Sequence, residues 1–301
     1  MLFETKSATQ KRADFRNGLN SGKILKFPGA HAPIVSLEVE RHGFDGIYIS
    51  GAALSADLGL PDIGLTTLSE VTQRGRQIAR VTSLPSLIDI DTGFGEPMNA
   101  ARTIRELEEL GISGCHLEDQ ENPKRCGHLD NKSLVSRDEM ARKIMAASDA
   151  KTDPNFMLFA RTDARASEGM DAAIDRAKAY VDAGADAIFP EAMEGEREFE
   201  LFRKAVDVPM MANMTEFGKS PLLSASQLED LGYNLVIYPA TTLRLAMGAI
   251  KEGLAEIAKT GTQSGLMDRL HTRKELYDLI RYQDYNNYDQ SVFNFKVREE
   301  G

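Results

Sequence analysis

The sequence predicts an α/β protein in which eight strands alternate with helices and close into a (β/α)8 barrel of TIM type, followed by a C-terminal helical extension. Three observations carry this expectation. A helical segment repeatedly ends at glycine and is followed a few residues later by an apolar strand. The strands are short and almost continuously apolar, as a sheet buried on both faces requires. The 301 residues, 42% of them hydrophobic, suffice for one large barrel, and no linker or low-complexity stretch divides them.

The elements follow in order. The first strand is read at Ile24–Phe27. Glu40-Arg41-His42-Gly43 ends a helix and leads into the second strand, Ile47–Ile49. The third is Ser86–Asp89. A helix opened near Asn99 puts Ile104, Leu107 and Leu110 on one face. It closes at Glu108-Glu109-Leu110-Gly111, before the fourth strand, which runs to Leu117. The fifth strand is Phe156–Phe159, and Ile174, Ala177 and Val181 line the next helix, which stops at Gly184. Ala187–Phe189 is the sixth strand and Val208–Met211 the seventh. Glu229-Asp230-Leu231-Gly232 precedes the eighth, Leu235–Ile237. Glycine just past a helix accepts the left-handed conformation that stops it. The longest insertions follow strands two and four. From about Gly265 the pattern changes to an aromatic helical tail with Tyr277, Tyr282, Tyr285, Tyr288, Phe293 and Phe295. The expected division is therefore a barrel over 1–264 and a tail over 265–301. That tail needs a surface to bury against, on its own barrel or on a neighbouring subunit.

The net charge of −10 favours solubility and argues against binding nucleic acid or an anionic membrane. An acidic chain that takes an acidic substrate must concentrate positive charge locally. The two cysteines, Cys115 and Cys126, form neither a disulfide framework nor a zinc pattern, which fits a reducing cytosol. Met1 to Asn20 lacks the apolar core of a signal peptide, and no stretch approaches the ~20 apolar residues of a membrane span. A cytoplasmic protein is expected.

In such a barrel the active site lies at the carboxyl ends of the strands. Those ends read His31, Tyr48 and Ser50, Asp89 and Asp91, Glu118 and Asp119, Arg161 and Asp163, Glu191, Asn213 and Thr215. Charge at so many strand ends points to a catalytic mouth. Asp89 and Asp91 are two apart, so an extended strand would aim both at one face. Oxygen ligands without Cys or His suit Mg²⁺, with Mn²⁺ as the alternative. Capping carboxylates of a strand-to-helix loop are the plainer explanation. In Lys124-Arg125-Cys126-Gly127-His128 a thiol stands among cationic neighbours, which favour thiolate, beside a glycine that lets backbone approach a ligand. Cys115, inside an apolar strand, reads as a small buried residue. Arg161, Arg244 and Arg273 each lie at or just after a predicted element, and their planar forks match carboxylates. Together these features point to lyase chemistry on a small polycarboxylate.

The chain resembles the isocitrate lyase and phosphoenolpyruvate mutase superfamily from about Phe15 to Tyr285. The resemblance is carried by Tyr48-Ile49-Ser50-Gly51, Gly59-Leu60-Pro61-Asp62, Asp89 through Gly95, His116 through Gln120, and Lys124 through His128. Ala160 through Asp163, Phe189-Pro190-Glu191 and Asn213 through Glu216 complete it. The Lys-Arg-Cys-Gly-His run is specific to the lyase branch; isocitrate lyases carry a second lysine where Arg125 stands. The resemblance implies a Mg²⁺-dependent barrel in a homo-oligomer, usually a tetramer, with a C-terminal helix exchanged between subunits. It implies carbon–carbon cleavage of a 2-methylated isocitrate to pyruvate and succinate. Asp89 and Asp91 would hold Mg²⁺, and Cys126 would act as the acid, with Lys124 and His128 beside it. Tyr48 and Glu118 are the two candidates for the base. Ser50, Gly51, Ala52, Asp62, Gly127, Arg161, Glu191, Asn213, Thr215, Arg244 and Arg273 would surround the tricarboxylate substrate. The loop from Glu121 to Val135 would be a mobile lid. One departure concerns substrate: many members of the lyase group have further glycines where this chain has Ala52-Ala53. Carboxyphosphonoenolpyruvate mutase and lyases of other substituted malates share overlapping motifs.

Overall fold

A computed structural model describes residues 6–129 and 131–295. The chain divides into two compact units after Leu245. The first holds strands β1 (Leu25–Pro28), β2 (Ile47–Ile49), β3 (Ser86–Asp89) and β4 (Gly114–Glu118). Strands β5 (Met157–Thr162), β6 (Ala187–Pro190), β7 (Met211–Asn213) and β8 (Leu235–Tyr238) follow. Helix α1 (Ala8–Leu19) precedes β1, and α2 (Pro33–Arg41), α3 (Gly51–Asp57), α4 (Leu68–Ala79) and α5 (Pro97–Glu109) are interleaved with the first strands. Helices α6 (Arg137–Asp149), α7 (Ala164–Glu168), α8 (Met170–Asp182), α9 (Glu196–Ala205) and α10 (Ala225–Asp230) follow in the same manner.

Every ladder is parallel. β2 to β6 pair in sequence order, and β7–β8–β1 form a second ladder. Single bridges Gly29↔Tyr48 and Ile188↔Met210 join the two and close the ring. The predicted barrel is present, with each strand within a few residues of its expected place. The largest shift is at β7, expected to start at Val208. Pro209 has no N–H to give a ladder, and the Met210 N–H donates to the Asn234 side chain at 3.0 Å, so Met210 makes only the isolated bridge and regular pairing begins at Met211.

Alternation along the strands sorts two cores. Ile47, Ile49, Ile88, Cys115 and Leu117 point outward beneath helices that supply Ile104, Leu107, Ile144 and Ala177. Tyr48, Leu87, Phe159, Phe189 and Ile237 point inward. The inward set also includes Phe15 and Leu19 of α1, a helix that the polar, mixed-charge N-terminal sequence did not announce. Ser7 and Gln10 form a capping box at its start. Phe15 packs tilted on Phe27 and stacked on Phe159, with ring centroids 5.0 and 6.0 Å apart, plugging the floor of the barrel. Arg12 donates to the carbonyls of Ile112 (2.9 Å) and Glu108, tying the plug to the end of α5.

The second unit contains most of α11 (Thr241–Thr260), a 3-10 turn at Ser264–Arg269, α12 (Arg273–Leu279) and α13 (Tyr282–Phe293). Tyr277 and Tyr282 stack at 4.5 Å, while Ile250, Leu254, Tyr288 and Phe293 are exposed. The last residues of the expected tail, 296–301, lie outside the described residues. Among the described residues no helix is long and apolar enough to cross a membrane.

Candidate active site

The carboxyl ends of the strands surround a narrow cavity of about 100 Å³. β2 and the start of α3 supply Tyr48, Ser50 and Ala52, and β3 supplies Asp89. Arg161 ends β5, Glu191 follows β6, and Asn213 and Thr215 follow β7. Arg244 lies in the first turn of α11, on the barrel side of the division. The loop after β4 closes the cavity with Lys124, Cys126, Gly127 and His128, and Asp62 reaches in from the insertion after β2.

Asp89 and Asp91 do converge, although not by strand alternation. β3 stops at Asp89, and Asp91 has a left-handed backbone, φ 48°. The Asp91 N–H donates to Asp89 Oδ1 at 3.0 Å, so a tight turn brings the carboxylates together. Gly51 N–H donates to Asp89 Oδ2 at 3.2 Å, and a Cβ at Gly51 would lie 2.9 Å from that oxygen. Lys124 balances this acidic cluster: its ammonium is 2.7 Å from Asp91 and also pairs with Asp62. Burial opposes the charge on Lys124, but Glu118, Asp91, Asp89 and Asp62 outweigh it and keep the group protonated. Burial first, then Asp89, raises the Asp91 carboxyl to about 6. Asp91 Oδ1 is buried with the Lys124 ammonium as its partner, and Glu118 Oε2 has Arg161 at 3.3 Å, whereas Glu118 Oε1 is buried without a hydrogen bond. The converging carboxylates of Asp89 and Asp91, oxygen donors only, fit a hard divalent cation. Among the described residues no cage of three or more Asp, Glu, His or Cys side chains exists, so such a cation would also need water and substrate as ligands, as Mg²⁺ commonly does.

Charge is opposed across the mouth. Arg161, 7% exposed, donates from Nε to Asp163 at 2.8 Å and lies 3.3 Å from Glu118 and 3.2 Å from Glu191. Its guanidinium stands over the Phe189 ring at 5.1 Å. His128 Nδ1 accepts from the Lys219 N–H at 3.0 Å, so the neutral ring carries its proton on Nε2. That atom faces Glu191 Oε1 at 3.0 Å. A Cβ at Gly127 would overlap Arg161 Nη2 and the Glu191 side chain, which is why glycine follows Cys126.

The cationic neighbours of Cys126 in sequence do not act on its thiol. Lys124 is turned to Asp62 and Asp91, and Arg125 is exposed. Burial pushes the Cys126 thiol up, against a backbone hydrogen bond from His128, so the expected bias toward thiolate is reversed and the group stays protonated near neutral pH. Burial raises Cys115 as well, consistent with a packed residue in β4.

Of the residues proposed from sequence, Gly51, Asp91 and Glu118 stand against the wall of the cavity rather than lining it. Arg273 opens α12 in the second unit and is described with that unit alone. Sequence reasoning missed two side chains. His116, fully buried, shares a 2.7 Å hydrogen bond with the Tyr48 hydroxyl, and burial lowers its pKa to about 4, so the ring is neutral. Its position on β4 with an inward register was the available signal. Lys132 had none, because it lies in an irregular loop.

A closed parallel barrel with two aspartates, a buried arginine fork and a protonated thiol at its mouth defines an enzyme-like site. The chain belongs to the phosphoenolpyruvate phosphomutase family, within the superfamily shared with isocitrate lyase: the family model matches residues 15–258. It is 58% identical over 291 residues to a probable 2-methylisocitrate lyase of Corynebacterium glutamicum, covering 96% of this chain and 95% of that one. It is 48% identical over 278 residues to 2-methylisocitrate lyase of Bacillus subtilis, 92% of each chain. A phosphonopyruvate hydrolase solved with oxalate and Mg²⁺ superposes with a TM-score of 0.85 at 31% identity, over 95% of this chain and 99% of that one.

Proposed function

We propose that the protein is a Mg²⁺-dependent carbon–carbon lyase that cleaves 2-methylisocitrate to pyruvate and succinate, in propionate breakdown through the methylcitrate cycle. The reading is supported by relatives of that name along nearly the whole chain. The observation that carries it is the placement of a protonated Cys126 and the Arg161 fork on the wall of one cavity with Asp89. Asp89 and Asp91 would hold Mg²⁺, which when bound would polarise the substrate's hydroxyl and neighbouring carboxylate. Tyr48 and Glu118 are the two candidates for taking the hydroxyl proton: burial holds the Tyr48 phenol protonated, so it can accept only by passing its own proton to the neutral His116 ring 2.7 Å away, and Glu118 stands behind Arg161. Arg161 and the Gly127 backbone region receive the departing succinate unit, whose charge develops as the bond breaks. Cys126 then gives it a proton. Ser50, Ala52, Asn213, Thr215 and Arg244 orient the remaining carboxylates, with Lys124, Asp62, His128 and Glu191 fixing the wall around them.

The test is pyruvate release from 2-methylisocitrate with Mg²⁺ or EDTA, alongside glyoxylate release from isocitrate. Pyruvate that requires Mg²⁺, with little glyoxylate, is expected. Folded protein that releases neither product would overturn the reading.

The same proposal includes a cytoplasmic homo-oligomer, a tetramer, in which the tail over 265–301 packs on a neighbouring subunit. An apolar groove on the barrel, lined by Val35, Val39, Phe44, Tyr238 and Leu245, supports it. So does the exposed apolar face of Met247, Ile250, Leu254 and Ile257. Light scattering that returned a monomer of 33.2 kDa would remove the oligomer.

A further inference from the structure

The loop after β4 is held at its neck by the Gln120↔Leu134 bridge and by Glu121 N–H on the Ser133 carbonyl at 2.8 Å. The Gln120 side chain pairs with both backbone groups of Arg125, each at 2.9 Å. These contacts fix the stem. The segment that carries the thiol lies beyond them; the Lys124 and His128 side chains anchor its two sides, and a buried ammonium anchors the backbone between, at the Gly127 carbonyl.

The Lys132 side chain is 2% exposed. A buried ammonium is costly unless its charge is balanced and its donors are used. Lys132 Nζ donates to the Gly127 carbonyl at 2.5 Å and to Asp163 Oδ1 at 2.8 Å. The same Asp163 carboxylate accepts from Arg161 Nε at 2.8 Å and Nη2 at 3.2 Å, and its backbone N–H donates to Asp119 Oδ1 at 2.9 Å. Arg161 meets Glu191 at 3.2 Å, and Glu191 meets His128 at 3.0 Å. The contacts therefore form a ring: Gly127 carbonyl, Lys132, Asp163, Arg161, Glu191 and His128, closed by the backbone on which Cys126 sits. One ammonium thus ties the position of the thiol to the position of the guanidinium.

We propose that Lys132 is a positioning residue, which sets Cys126 against the Arg161 fork by holding the Gly127 carbonyl and Asp163 together. The proposal rests on the reading of Cys126 as the acid of the lyase reaction. Loss of the ammonium leaves Asp163 paired with Arg161 and His128 held by Glu191 and the Lys219 N–H, but releases the Gly127 carbonyl next to the thiol. A displacement of about 1 Å at a reacting group can cost ~10²-fold in rate.

The experiment compares the wild-type enzyme with Lys132→Met, which keeps the apolar stem, and Lys132→Arg, which keeps the charge. Three quantities are read: kcat and KM, the iodoacetamide alkylation rate of Cys126 followed by peptide mass spectrometry, and trypsin cleavage at Arg125. Lys132→Met is expected to lose ~10–100-fold in kcat with KM changed far less. Its alkylation and trypsin cleavage should both accelerate by at least ~10-fold, and Lys132→Arg should recover most of each effect. A folded Lys132→Met with kcat, alkylation and cleavage all at wild-type values would overturn the proposal. Should Lys132→Met fail to fold, hydrogen exchange of the wild-type segment 124–129 decides: protection is expected, and exchange at the rate of an open loop would overturn it. Alkylation, cleavage and exchange need no substrate, so they fail or succeed separately from the assignment of the reaction.

Discussion

At the floor of the barrel, Phe15, Leu19, Phe27 and Phe159 fill the interior with side chains that have no exposed surface. At the mouth of the same barrel, Arg161, Asp163, Glu118 and Glu191 are almost as buried, yet every one carries or can carry charge. The strands that supply both ends are the same: β5 places Phe159 in the floor layer and Arg161 two residues later at the mouth. The floor gains its stability from apolar area removed from water. The mouth sets desolvation against pairing, a combination that is often neutral or unfavourable for folding. On the proposed function, charge is retained there because a polycarboxylate needs a preorganised cation fork.

Three experiments sharpen or break this contrast. The largest effect should come from the mouth: Cys126→Ser should lose ~10²–10⁴-fold in kcat, as removal of a general acid does, with thermal stability near wild type. A variant with near-normal turnover would remove the acid from Cys126. Next comes the floor. Phe15→Ala should cost about 3–5 kcal/mol in denaturant unfolding and leave kcat per folded molecule unchanged. A fall in kcat at full folding would show that the two ends are not separable. The smallest effect is a pH shift. Because burial raises the Cys126 thiol, its reactive thiolate should appear only as pH rises past the ordinary thiol value. Alkylation of Cys126 should therefore titrate at higher pH than a free thiol, and turnover should be lost on the alkaline side, where the acid is deprotonated. An alkylation midpoint below that of a free thiol would mean that the cationic neighbours in sequence do control it.

The sequence made the barrel legible because its signals are local. Glycines 43, 111, 184 and 232 all have positive φ, each where a helix ends and a strand is about to begin. Apolar runs of the right length placed the strands, and the polar residue at each strand end followed from the fold's geometry. α1 escaped notice because its buried face consists of Lys11, Arg12, Phe15 and Leu19, too polar to read as amphipathic. Lys11 and Arg12 are buried by donating to carbonyls of distant segments, which no local window contains.

By itself, then, the chain determined its element order, its parallel ring and the residue types offered at the mouth, since periodicity, caps and glycine stops act over a few residues. Only the tertiary structure decided which charges meet. It turned Lys124 to Asp62 and Asp91 and away from the thiol, curled Asp91 back toward Asp89, and brought Lys132 to Asp163. Those outcomes depend on closure of the ring and on exclusion of water from its mouth, because pairing across strands and the local dielectric exist only once distant segments are packed together.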